Sequence, residues 1–232
     1  MIDESAAGDV RTVTLARPER RNALTSEGLD ELEDAITGAE EPVVYLHGAG
    51  SAFCAGADLD VVDALDDSGA AAEFAARGQQ VARAIETAEP IVVAGIDGPA
   101  RGGGVELALA CDVRIATSDA TFGEPGVSFG LFGAWGGTVR LPEVVGLGDA
   151  MEFSVTGREL DAEEARRIGL VSRLVERPDA VAREIAENDP AALAVLKKRL
   201  HDTSSRAEQE RREAAAFAEL VMERKRTNET GD

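Results

Sequence analysis

With 232 residues the chain is long enough for one large domain or a domain with an appendage, and a hydrophobic content of 44% supports a buried core. Its 44 acidic residues against 24 basic ones leave a formal net charge of −20, and only Lys197, Lys198 and Lys225 are lysines. Such a field repels nucleic acid and anionic membranes, so an anionic substrate would need a local basic patch. The balance suits a halophilic protein, hydrated in concentrated salt, although an ordinary acidic protein shares it. Cys54 and Cys111 lie far apart without metal-site spacing and read as buried free thiols. No apolar run approaches ~20 residues. The opening Asp3 and Glu4 do not resemble a secretory signal, which sets the expectation of a cytoplasmic protein.

In chain order, residues 10–16 form a β-branched strand, and the turn 17–22 (RPERRN) leads to a helix over 26–36. Arg17, Arg20 and Arg21 cluster in that turn, equally readable as an anion site or as solvated loop charge. Pro42 starts a strand over 43–47, followed by a small-residue loop where the amides of Gly56 and Ala57 can approach a ligand. Ser51 lacks the glycine at Ala49 that a nucleophile elbow needs, and His47 reads as structural rather than as a metal ligand or triad member. Residues 60–69 are acidic and weakly patterned, a mobile connector or lid. Residues 70–87 form an amphipathic helix with Phe74, Val81 and Ile85 on one face.

An apolar strand over 91–96 then leads to PARGGGVELALACD at 99–112, the stretch around which the chain is organised. Gly102, Gly103 and Gly104 open a helix, so their amides have no intrahelical partner and sit at the positive end of its dipole. They suit a developing negative charge on oxygen, and Glu106 beside them can act as general acid or base. The structural alternative is close helix packing with Glu106 a solvated acid. A dinucleotide fingerprint fails because Leu107 stands at the third glycine position. A strand over 113–116 continues the alternation, which argues for an α/β fold with crossover connections. Residues 121–126 read as a loop, and the aromatics among glycines over 129–138, including Trp135, wall an apolar pocket or form a satellite core cluster. Asp161 caps a helix with Glu164 three residues on, a variant capping box. After Pro190 two helical runs, 191–201 and 205–226, read as an appendage for subunit contacts, its Phe217, Leu220 and Val221 stripe needing a partner surface. This divides the chain into a core over 1–187 and a helical region over 188–232.

Together these motifs resemble the crotonase superfamily, the enoyl-CoA hydratase/isomerase family. The likeness runs nearly end to end through RPERRNALT, GSAFCAGADL, GPARGGGVELALACDVRIA, FGEPGVSFGLF, GGTVRLP and TGRELDAEEARRIGLV. It implies an α/β fold, a spiral of ββα units with C-terminal helices, assembled as a homotrimer or hexamer. It also implies an acyl-CoA thioester substrate with no separate cofactor and no metal, CoA being part of the substrate. The thioester carbonyl would sit on the backbone amides of Ala57 and Gly103, with Glu106 as the first of two hydratase glutamates. Arg20, Arg21, Lys197 and Lys198 would meet the CoA phosphates, Ala55, Asp58 and Leu59 would lie along the substrate, and Phe132 and Trp135 would wall the acyl pocket.

Two departures stand out. Gly126 occupies the place of the second glutamate, directly after Pro125, while Glu124 stands where the family often has Gln or Glu without catalytic duty. Ala134-Trp135 replaces smaller residues and would reshape the acyl pocket, and the chain stops soon after Gly231, without the family's closing helix. The expected function is stabilisation of a thioester enolate, by hydration or double-bond isomerisation of an enoyl-CoA. The alternatives are a catalytically reduced acyl-CoA-binding homologue, another crotonase-family reaction, or RNA binding, which the charge opposes.

Overall fold

The computed structural model describes residues 1–230; the last two residues of the expected 188–232 region, Gly231 included, lie outside the described residues. In chain order the elements are β1 (Ile2–Ala7), β2 (Val10–Leu15), α1 (Ser26–Thr37), β3 (Val43–Gly48), α2 (Leu59–Asp63), α3 (Ser68–Thr87), β4 (Ile91–Ile96), β5 (Pro99–Arg101), α4 (Gly103–Ala110), β6 (Val113–Ala116), β7 (Thr121–Gly123), α5 (Gly137–Thr156), β8 (Glu159–Asp161), α6 (Ala162–Arg167), β9 (Arg173–Leu174), α7 (Pro178–Ala186), α8 (Pro190–Leu200) and α9 (Arg206–Thr230). They build a six-stranded sheet in the order β1-β2-β3-β4-β6-β9 and a three-stranded sheet in the order β5-β7-β8. In the larger sheet β1 runs antiparallel to β2 and every other pair is parallel.

The β-branched runs explain the layers, because side chains alternate across a strand. One face buries Val13, Leu15, Val44, Leu46, Val92 and Ala94 against Leu29 and Leu32 of α1 and Val81 and Ile85 of α3. The opposite face places Val10, Val43, Tyr45, Val93 and Ile115 under Val181 and Ala182 of α7. Fully burying an aliphatic side chain of this kind stabilises by about 1.5–3 kcal/mol, so both faces are covered on ordinary hydrophobic grounds. Phe74, Val81 and Ile85 share the buried face of α3 as the spacing required. His47 is structural, its Nε2 3.0 Å from Thr14 Oγ1 and its ring stacked on Tyr45. Both cysteines are buried free thiols, pushed by burial up to about 12.

Several elements differ from expectation for local reasons. Asp67 accepts a hydrogen bond from the Ala70 amide and starts α3 two residues early, while α2 takes up part of the expected connector at 60–69. A helix at 137–156 is disguised in the sequence by Pro142 and by Gly146, whose φ of 80° is non-helical and kinks α5. Asp161 does cap α6, accepting from the Glu164 amide at 2.8 Å, but the Glu164 carboxylate turns to Arg158 rather than completing the box. The small sheet positions the site: Phe53 and Cys54 donate their amides to Pro99 O, and Arg101 N donates to Cys54 O. The loop after β3 is thereby tied to the start of α4.

Candidate active site

The tie between the two loops brings two backbone donors to one cavity. Gly56 adopts φ +84°, and a Cβ there would lie 2.7 Å from the Gly103 nitrogen, so only glycine allows this approach. Ala57 and Gly103 both line a cavity of about 270 Å³, and neither amide has a hydrogen-bond partner among the described residues. Gly103 opens α4, where the first amides have no intrahelical acceptor, and the dipole adds its positive end. Two convergent, unsatisfied N–H groups of this kind fit an oxygen that gains negative charge.

Glu106 lies on the next turn of α4, only 1% exposed, and lines the same cavity. Its Oε1 accepts hydrogen bonds from the Trp135 amide at 2.9 Å and the Gly137 amide at 2.6 Å. Burial pushes its pKa up, and the Gly137 and Trp135 amides, with the charge of Arg140, pull partly back. The solvated-acid alternative is thereby removed, because this is a buried, oriented carboxyl facing a void. Trp135 supplies more than a wall: its indole lies against Gly103 and Gly78, where a Cβ would overlap it, and meets Phe74 edge-on at 6.0 Å.

The far wall is the segment 124–135. Glu124, Pro125, Gly126, Phe129, Leu131, Phe132 and Trp135 all line the cavity, Phe132 at its open edge with 68% exposure. Glu124 is 8% exposed, and its pKa is pushed up to about 8, first by burial and then by the charge of Glu106. Gly126 has no positive φ, yet a Cβ there would lie 3.0–3.1 Å from the Leu131 carbonyl and the Phe132 Cα.

The family profile for enoyl-CoA hydratase/isomerase matches residues 5–229. The chain belongs to that family. Among relatives, a short-chain-enoyl-CoA hydratase of Clostridium acetobutylicum is 38% identical over 205 residues, covering 84% of this chain and 78% of that protein. A crotonyl-CoA hydratase of Syntrophomonas wolfei is 44% identical over 174 residues, covering 73% and 66% respectively. Among solved structures, the enoyl-CoA hydratase of Bacillus anthracis superposes with a TM-score of 0.89 at 32% identity, covering 95% of this chain and 91% of that one. A Thermobifida fusca protein solved with acetoacetyl-CoA superposes with a TM-score of 0.86 at 29% identity, covering 96% and 95%. The α/β arrangement is therefore the crotonase fold.

In this crotonase the basic rim is partly consumed by its own acids. A shallow cavity of about 470 Å³ shares Ala55, Ala57 and Leu59 with the first and is lined by Arg20, Arg21, Asp58 and Asp60. Asp58 does not present its carboxylate to a ligand: Arg17 Nη1 donates to it at 2.6 Å, Arg20 at 3.2 Å, and the Asp60 amide at 3.0 Å. Burial alone would raise the Asp58 pKa, but these donors together lower it. Arg20 also pairs with Asp60, whereas Arg21 shows no such pair among the described residues.

Lys197 is placed differently from its expected role. It is 7% exposed, paired with Asp112 at 2.8 Å and donating to Pro90 O at 2.9 Å, so its ammonium holds α8 to the core. Lys198 lies beside it in a groove with residues 86–89, outside the cavity of Glu106. Val62 and Leu65 also line the cavity, from within the stretch 60–69 expected as a mobile connector or lid. Their apolar spacing within an acidic stretch was the available signal.

Proposed function

We propose that this protein binds an acyl-CoA thioester and stabilises its enolate, in the hydration or double-bond isomerisation of an enoyl-CoA. The observation that carries the reading is the pair of unpartnered amides of Ala57 and Gly103 in one cavity with the buried carboxyl of Glu106. The thioester oxygen accepts from both amides, and as C2 loses or gains a proton the charge that develops on that oxygen is met by donors already in place. Glu106, held by two amides, exchanges the proton. The acyl chain passes Phe132 and Trp135, CoA lies along Ala55 and Leu59, and its phosphates meet Arg21 and Arg20 at the rim. CoA enters as part of the substrate, and these steps call for neither a metal nor an added cofactor. The CoA complex of the Thermobifida fusca neighbour supports this ligand class.

Gly126 favours a second reading, acyl-CoA binding without turnover. Turnover of a panel of enoyl-CoAs separates the two. In the enzyme reading, Glu106→Gln lowers turnover by ~10²–10⁴-fold while acetoacetyl-CoA affinity stays within a few-fold. An unaffected variant would return the stretch 102–106 to a packing role.

We also assign assembly as a homotrimer or hexamer to residues 188–232, with the spiral core over 1–187. Exposed Leu196, Leu200, Phe217 and Met222 on α8 and α9 support this. Sedimentation of a stable monomer at micromolar concentration would contradict it. The net charge opposes nucleic acid and anionic membranes as partners, and among the described residues no helix is long and apolar enough to cross a membrane.

A further inference from the structure

We propose that Glu124 is the second proton-carrying carboxyl of this site, a neutral acid working opposite an ionised Glu106. The inference deepens the enolate reading above and rests on it.

Glu124 and Glu106 both line the proposed substrate cavity and both line a second cavity of about 220 Å³, and the charge of Glu106 reaches Glu124. Their juxtaposition is built by the fold. Gly123 pairs with Arg101 across the small sheet, and its carbonyl accepts the Gly102 amide at 2.9 Å, which places Glu124 directly after the anchor of the α4 start. Among the described residues, the four other polar or charged residues as deeply buried are engaged: Asn22 with backbone carbonyls, Asp58 with Arg17, Glu106 with two amides and Lys197 with Asp112. Glu124, more than nine-tenths buried, has no hydrogen-bond partner for its carboxyl among the described residues. A buried carboxyl without donors keeps its proton, and the neighbouring charge of Glu106 reinforces that. Glu106, whose anion is held by two N–H groups, is the member that ionises first. The position expected for the second carboxyl, Gly126, supplies none, and a Cβ there would crowd the Leu131 carbonyl at 3.0 Å.

In hydration the step balances on these two groups. A lone pair of water forms the C–O bond at C3, the C2=C3 π pair moves toward the thioester oxygen held by the two amides, and the proton from water passes to Glu106. The enolate pair at C2 then takes the proton of Glu124, forming C–H as the carboxyl O–H breaks. Transfer of the proton from Glu106 back to Glu124 restores the enzyme.

The test compares wild type with Glu124→Gln and Glu124→Asp on crotonyl-CoA. Glu124→Gln lowers kcat by ~10²–10⁴-fold with acetoacetyl-CoA binding within a few-fold, and it lacks the alkaline fall of kcat/KM around pH 8 that is expected of wild type. Glu124→Asp, still an acid, restores that limb and about 10-fold of the rate. A Glu124→Gln enzyme within about 3-fold of wild type, with its alkaline limb intact, overturns the assignment while leaving the enolate reading in place. Loss of acetoacetyl-CoA binding together with kcat marks a packing role and also overturns it. A wild type that turns over no enoyl-CoA removes the underlying reading and this proposal with it.

Discussion

The corner where the loop after β3 meets the start of α4 and the wall formed by residues 124–137 do opposite kinds of work in one cavity. At the corner the functional atoms are main-chain amides, fixed by Gly56, Gly103 and the hydrogen bonds of Phe53, Cys54 and Arg101. Toward the wall the proposed functional groups are carboxyls, whose chemistry depends on what surrounds them: Glu106 of α4 is held by Trp135 N and Gly137 N, while the Glu124 carboxyl has no hydrogen-bond partner among the described residues. The corner depends on a backbone path that Gly56 and Gly103 alone permit. In the proposed mechanism the wall's acid stands at 124 rather than 126, kept neutral by burial and by the charge of Glu106.

The largest effect expected of a backbone change breaks the corner. A Cβ at Gly103 would lie 2.3 Å from the Trp135 indole, so Gly103→Ala displaces both an amide donor and the residue whose own amide holds Glu106. Turnover is expected to fall by ~10²–10³-fold from the lost donor geometry alone, with a lowered melting temperature from overpacking. Gly148→Ala is the control, since nothing lies within 4 Å of its Cβ and its φ is ordinary. It should match wild type in rate and equal or exceed it in stability. A Gly103→Ala enzyme of undiminished rate would separate the corner from catalysis.

A smaller effect sharpens the contrast on the wall. If Glu124 is the acid, Gly126→Glu adds a second carboxyl that must push the Leu131 carbonyl by a few tenths of an ångström and that repels Glu106. In the wild-type background it should leave crotonyl-CoA hydration equal or lower. In the Glu124→Gln background it should raise hydration by at least about 10-fold, because it returns a proton donor to the site. A rise in the wild-type background instead would show that the unaltered wall lacks its second acid.

Stability follows the same logic with a definite sign. The folded Glu124 pKa of about 8 lies above the unfolded value near 4.5, so the native state binds the proton more tightly. Its contribution is full below about pH 4.5 and is lost as pH rises toward 8. Glu124→Gln cannot ionise and should therefore gain melting temperature relative to wild type as pH is raised from 5 to above 8, a trend that thermal scans at fixed salt would show. A gap that stays constant with pH would mean that Glu124 ionises normally.

How much of this was legible follows from which atoms matter. The strands at 10–15, 43–48, 91–96 and 113–116 announce themselves through β-branched apolar runs, and the three glycines before Glu106 announce the corner because a backbone site needs glycine at fixed places. The polar β1 carries no alternation and exists through its antiparallel register with β2. The strands β5, β7 and β8 have three residues each, too few for a periodic signal, and form through partners far away in sequence. The same limit hid the burial of Lys197 on Asp112 and the isolation of Glu124: a charge is written in the sequence, but its partners are set by tertiary packing.

The smallest effect separates the two regions by salt. Apart from Glu124 the wall from 124 to 137 has no ionisable side chain, while the corner is rimmed by Arg17, Arg20, Arg21, Asp58 and Asp60. Across the chain 44 acids face 24 bases, so after every base is matched an excess of 20 acids remains to repel. Salt weakens the surface ion pairs, each worth ~0–1 kcal/mol, but it also screens that unmatched excess as the Debye length falls from ~10 Å at 0.1 M to ~3 Å at 1 M. The excess decides the sign, and the melting temperature should rise with KCl over this range. The rim should respond the other way if Arg20 and Arg21, as proposed, attract the CoA phosphates through exposed charge that salt screens. KM for crotonyl-CoA is therefore expected to rise by a few-fold while kcat, governed by the buried wall and the backbone amides, changes little. A falling melting temperature would remove the halophilic reading. A KM indifferent to salt would detach the arginine rim from CoA.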